Sequence, residues 1–152
     1  MRLCILSRTF YKRYEGCSEI LDKGPQRPYV LVVIKLDDSL TFAIPIRTTI
    51  PSYNKEYCYI TENSKNSGLD FTKSLIISSE TDLETGPEPT IEQSEFNYIK
   101  MKEHELSCIL LKFVNDYKKY IKRKEKNPDI PEPLSFKFST LQYFHKELGL
   151  AK

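Results

Sequence analysis

Hydrophobic residues along this chain follow two successive patterns. Through residue 78 they fall in short runs of β-branched and aromatic side chains separated by turn residues, as in strands. From Ser94 onward they recur three and four residues apart, as on one face of a helix. Leu3-Cys4-Ile5-Leu6 predicts a buried strand. Ser7 to Asp22, with Phe10, Tyr11, Tyr14, Ile20 and Leu21 among polar residues, predicts a short helix capped by Ser7 or Thr9. Tyr29 to Leu36, whose run Val30 to Ile34 is apolar on both faces, predicts a central strand. Asp37-Asp38-Ser39 then turns the chain into Leu40 to Arg47, and the pair reads as an antiparallel hairpin. Pro45, which has no N–H for a sheet ladder, marks an edge or a bulge.

Tyr53 to Ile60 reads as a further strand and Thr61 to Gly68 as a polar loop. Ser74 to Ser78 reads as a last strand that leaves Lys73 at a loop-to-strand junction just after Asp70. The helical half holds Leu106, Ile109, Leu110, Phe113, Val114, Tyr117 and Ile121 on one stripe of a helix from about Glu103 to Lys126. Asn127 to Pro133 is a stiff linker, and a closing helix opens at Ser139-Thr140-Leu141-Gln142 in capping-box form and stops at Gly149.

Composition narrows the class. A length of 152 residues fits one domain, 1–152, able to bury a core without disulfide or metal staples. Cys4, Cys17, Cys58 and Cys108 form no CxxC pair, so neither a zinc site nor any other cofactor is expected. The apolar run at the N-terminus is too short for a signal-peptide core and no stretch has the length of a membrane span, so a cytoplasmic protein with no membrane partner is expected. Basic and acidic residues nearly balance, 23 against 21, so their distribution matters more than the net charge of +2. Glu80 to Glu95 carries carboxylates and no Lys or Arg, which predicts a solvated loop on a face turned away from any phosphate.

The candidate chemistry sits at the end of the hairpin. Arg47 offers a fork of donors suited to phosphate, and Thr48 and Thr49 follow with hydroxyls. A solvated strand end is the plainer reading of the same triplet. Because the hairpin turn is short, Arg27, just before the strand begun by Tyr29, is expected beside Arg47 and Thr48. Two basic surfaces stand apart from this corner. Arg8, Lys12 and Arg13 with Tyr11 or Tyr14 interleave charge and aromatic rings, as do Lys118, Lys119, Lys122, Arg123, Lys124 and Lys126 around Tyr117 and Tyr120. Positive charge in the last turns of a helix also suits its dipole. His145 is a candidate general acid or base, though a lone histidine on such a helix is more often structural.

At Arg27-Pro28-Tyr29-Val30, at Phe42-Ala43-Ile44-Pro45-Ile46-Arg47-Thr48 and at Gly68-Leu69-Asp70-Phe71-Thr72-Lys73, the chain resembles the toxins of type III toxin–antitoxin systems. These are the ToxN, AbiQ, TenpN and CptN group of endoribonucleases, with the TenpN and CptN branches nearest. The resemblance extends through the long helix to Leu141-Gln142-Tyr143-Phe144-His145-Lys146-Glu147-Leu148-Gly149. It implies an α+β fold: a twisted antiparallel sheet forming a Kid/MazF-like, SH3-like barrel with added helices, including one long helix and a C-terminal helix. It implies metal-independent cleavage of target mRNA, inhibition by a pseudoknot RNA antitoxin that the toxin cuts from a precursor, assembly with that RNA into a closed hetero-oligomer, and a role in phage defence. The family's basic residue before the strand falls on Arg27, and its hydroxyl pair on Thr48 and Thr49. Its lysine falls on Ile50 or Pro51, which leaves Arg47, Lys55 or Lys73 as substitutes. With Lys73 counted among the catalytic candidates, the expected RNA contacts are Tyr29, Arg8, Lys12, Tyr11, Lys118, Lys119, Lys122, Arg123 and Lys55. The competing class is a non-catalytic RNA- or protein-binding module on a small β-barrel.

Overall fold

The structure, a computed structural model, describes residues 2–20, 31–35, 40–47, 49–60, 68–84, 97 and 99–150. Its sheet is antiparallel and mixed with helices, an α+β arrangement. Strand β1 (Arg2–Cys4) pairs β2 (Leu31–Lys35), and β2 pairs β3 (Thr41–Arg47) from Lys35↔Thr41 to Leu31↔Pro45, which is the expected hairpin. Phe42, Ala43 and Ile44 are fully buried, so β3 is central.

The other edge of β3 is divided. Its first half, Thr41 to Ala43, pairs β6 (Leu75–Ile77), and its end, Ile46 and Arg47, pairs β5 (Gly68–Asp70), which also pairs β4 (Cys58–Ile60). Pro45 lies where that edge changes partner, a position where a missing donor costs little. This branching corrects the expected barrel. Among the described strands the order runs β1-β2-β3-β5-β4 with β6 on β3, and no pairing closes it.

Helix α1 (Arg8–Arg13) is capped by Ser7, whose Oγ accepts from Phe10 N at 3.2 Å. Helix α2 (Glu103–Lys126) has the predicted bounds and buries Leu106, Leu110, Phe113, Val114 and Tyr117 against the core. Of Tyr53 to Ile60, expected as one strand, only Cys58–Ile60 is extended; Ser52–Tyr57 is a 3-10 turn, in which Asn54 and Tyr57, three residues apart, eclipse on the buried face. The closing helix is also corrected. After α3 (Leu134–Lys137), Thr140–Tyr143 forms a 3-10 turn capped by Ser139. The Gln142 amide donates to the carbonyls of Ser139 and Lys137, so no capping box forms. Gly149 does end the last turn, with φ +74° and bonds from Gly149 N to Lys146 O and Leu150 N to His145 O.

Candidate functional site

The last residue of β3 and the last residue of β5 meet. Arg47 pairs directly with Gly68, so Asp70, two residues further along β5, projects from the same face. Arg47 Nη1 donates to Asp70 Oδ2 at 2.7 Å. Asp70 has no exposed surface, and its remaining lone pairs are filled as well. Asn54 Nδ2 donates to Oδ2 at 3.2 Å, while Thr72 N and Thr72 Oγ1 donate to Oδ1 at 3.0 and 2.6 Å. Four donors on one buried carboxylate fix it rigidly. Gly68 is required here, because a Cβ on it would stand 2.0 Å from the Tyr59 carbonyl oxygen.

Among the described residues the Arg47 side chain makes one hydrogen bond, and it is 19% exposed. A guanidinium carries five N–H donors, so no described residue takes up the greater part of its fork. Thr49, two residues on, is exposed. Lys55 is exposed on the same 3-10 turn as Asn54, next to the residue that touches Asp70. Arg27, Tyr29 and Thr48 lie outside the described residues, and with them the expected meeting of the two arginines.

Lys73 is buried and committed. Its ammonium donates to Glu19 Oε2 at 2.7 Å, to the Phe138 carbonyl at 2.7 Å and to the Glu19 carbonyl at 3.3 Å. Three donors thus meet three acceptors. The short turn Phe71–Lys73 carries Asp70 as its cap at one end and this pin at the other.

Other titratable groups near the sheet are also engaged. Burial, and then the charge of Asp70, push the Cys58 thiol up to about 11, so it is protonated at neutral pH. His145 Nε2 is 2.7 Å from the Tyr117 hydroxyl, and burial holds the imidazole below its ordinary range, against the opposing pull of Glu125. Among the described residues no group of three or more His, Cys, Asp or Glu side chains is arranged to hold a metal ion.

The two basic surfaces differ. Arg8 and Lys12 are exposed and Tyr11 is half-buried on α1, beside the segment Ser78 to Glu84. The expectation of a solvated acidic loop facing away is corrected there. Asp82 is buried, takes Ser78 N and Ser79 N, and pairs with Arg13 at 2.8 Å, while Ser7 Oγ donates to the Thr81 carbonyl. Its carboxylate offsets part of the positive field of α1. The rest of the acidic stretch, 85–95, lies outside the described residues.

On α2, Lys124 is spoken for by Glu132, at 2.6 Å, and Tyr120 donates to the same carboxylate at 3.1 Å. Lys118, Lys119, Lys122 and Arg123 have no ion-pair partner among the described residues. Like charges at i,i+4, as in Lys118 with Lys122 and Lys119 with Arg123, destabilise a helix by roughly 0.2–0.5 kcal/mol each. An outside anion would reverse that sign.

Sequence reasoning missed Asn54, the second side chain on Asp70, and the pairing of Asp70 with Arg47. No signal in the sequence marks this turn beyond Pro51 before it; Asn54 and Tyr57 share its buried face only because the turn is 3-10. Comparison with known protein families, with curated proteins and with solved structures finds no match. No helix among the described residues is long and apolar enough to cross a membrane.

Proposed function

We propose that the chain is a metal-independent endoribonuclease toxin of the type III kind, cytoplasmic and held inactive by a folded RNA. The observation that carries this reading is the Arg47 fork, anchored at one nitrogen by the buried Asp70 and without another partner among the described residues. In the proposed reaction the ribose 2′-hydroxyl attacks its own adjacent phosphate. The O–P bond to the next nucleotide breaks, leaving a 2′,3′-cyclic phosphate and a 5′-hydroxyl. Charge grows on the non-bridging oxygens as the new bond forms, and a prepositioned guanidinium stabilises that state more than the substrate. Thr49, with Thr48 and Arg27 from the sequence, would add donors.

Fixing Arg47 from behind is what gives it this use. A free surface arginine must give up side-chain freedom to grip a phosphate, whereas one already bonded to a rigid carboxylate gives up less. Lys118, Lys119, Lys122 and Arg123 supply the phosphate-binding face for the antitoxin. The non-catalytic RNA-binding module is favoured by one observation: Lys73, His145 and Cys58 are each engaged elsewhere or protonated, so proton transfer has no assigned group.

Expression separates the two readings. A toxin arrests growth, and Thr49→Ala or Arg47→Lys relieves the arrest while the purified variant keeps its circular dichroism spectrum. Unimpaired growth of cells making the soluble wild-type chain points to the module.

A further inference from the structure

Between the second half of α2 and the segment that follows it lies a cleft of about 300 Å³. Tyr120, Phe136, Pro131 and Pro133 line it with rings, and Lys119 and Arg123 stand on its wall. We infer that this cleft holds a single extruded nucleotide, its base against the aromatic and proline wall and its phosphate on Lys119 and Arg123. The inference rests on the proposal that the partner is RNA, and it names where one unstacked nucleotide is gripped.

Several observations converge on that occupant. The rings are held in place: Tyr120 is tied through its hydroxyl to Glu132, and its ring centroid lies 5.1 Å from that of Phe136. The two cations have no partner of their own among the described residues, which fits an anion arriving from outside. The carboxylate in the cleft, Asp116, is already engaged by the Tyr57 hydroxyl at 2.9 Å and by Lys112 at 3.3 Å, which offsets part of its repulsion toward a phosphate. The volume suits one nucleotide unit rather than a stacked pair. Single-stranded RNA is commonly recognised by stacking an unpaired base on such side chains while cations hold the backbone.

The cleft is also connected to the Arg47 corner. Tyr57, on its wall, belongs to the same 3-10 turn as Asn54, which bonds Asp70 behind Arg47. One short turn thus joins the two places where RNA is proposed to be held.

Titration of the full chain with adenosine 5′-monophosphate, followed by NMR, tests the inference, with inorganic phosphate as the second probe. Adenosine 5′-monophosphate shifts the Tyr120 and Phe136 ring resonances together with the Lys119 and Arg123 amides, and binds at least about fivefold tighter than phosphate, the low end of what one stacked base contributes. K119E/R123E, at exposed positions that leave the fold intact, abolishes both. Equal affinity for the two probes, or nucleotide binding that survives K119E/R123E, overturns the inference. The proposed nuclease stands or falls separately. Nucleotide binding without RNA cleavage leaves the cleft and removes the enzyme, and cleavage without nucleotide binding does the reverse.

Discussion

Arg47 reaches diagonally across the β3–β5 ladder to Asp70, its Nη1 2.7 Å from Oδ2, beside Gly68, where a Cβ would meet the Tyr59 carbonyl oxygen. The relationship is one of support. Asp70 is fully buried and held by Asn54 and Thr72, so the arginine is fixed at one nitrogen, and its others meet no described residue.

Removing the arginine should therefore damage the fold as well as the site. Arg47→Ala strands a buried carboxylate and should cost about 3–5 kcal/mol in urea denaturation. Arg47→Ala combined with Asp70→Asn should recover part of that loss, because the stranded charge is gone. Purely additive effects of the two changes in a double-mutant cycle would contradict the coupling.

Lys73 should behave as a structural residue, pinning Glu19 and the Phe138 carbonyl. Lys73→Met leaves the Phe138 carbonyl and Glu19 without their donor and should cost about 1–3 kcal/mol in stability. At a temperature where the variant is folded, its cleavage rate per folded molecule should stay near wild type. A fall of about 10²–10⁴ with an intact fold would instead mark a proton-transfer group.

His145 sets a pH limit on stability. Burial depresses its folded pKa, so the unfolded chain binds the proton more readily. The contribution is intact above the unfolded value of about 6.5 and is lost as pH falls from there through the lower folded value. Tm should drop over that window, and His145→Gln should flatten this part of the profile.

The α2 cluster should govern salt dependence. Alanine at Lys118, Lys119, Lys122 and Arg123 should weaken RNA binding and reduce the slope of log K against log salt by about 0.7 for each phosphate of a single-stranded RNA that is no longer neutralised. Unchanged affinity and slope would make the cluster a solvated helix end. The α1 surface should matter less, since Asp82 lies beside it.

Much of the fold was readable from residue patterns. The bounds of α2 follow from its apolar stripe, and the hairpin from a doubly apolar run, a turn and a second run. What escaped are the features made by residues distant in sequence. β5 is three residues of Gly-Leu-Asp with no period to recognise, and the division of the β3 edge between β5 and β6 depends on tertiary pairing. At the candidate site, the sequence picks out Arg47 as a phosphate donor, but its partner is 23 residues away and Asn54 joins through a turn that reads as a strand. Lys73 was visible as a cation at a junction, whereas its burial against Glu19 and Phe138 depends on segments 54 and 65 residues distant.

The most direct test is cleavage of a defined RNA by the purified chain in excess chelator, beside the same RNA carrying one 2′-deoxyribose at the scissile position. The account predicts that the RNA is cut to a 2′,3′-cyclic phosphate and a 5′-hydroxyl and that the deoxy-substituted strand is bound with similar affinity and left whole. Cutting of the deoxy-substituted strand at that position, or a requirement for added divalent metal, would contradict it.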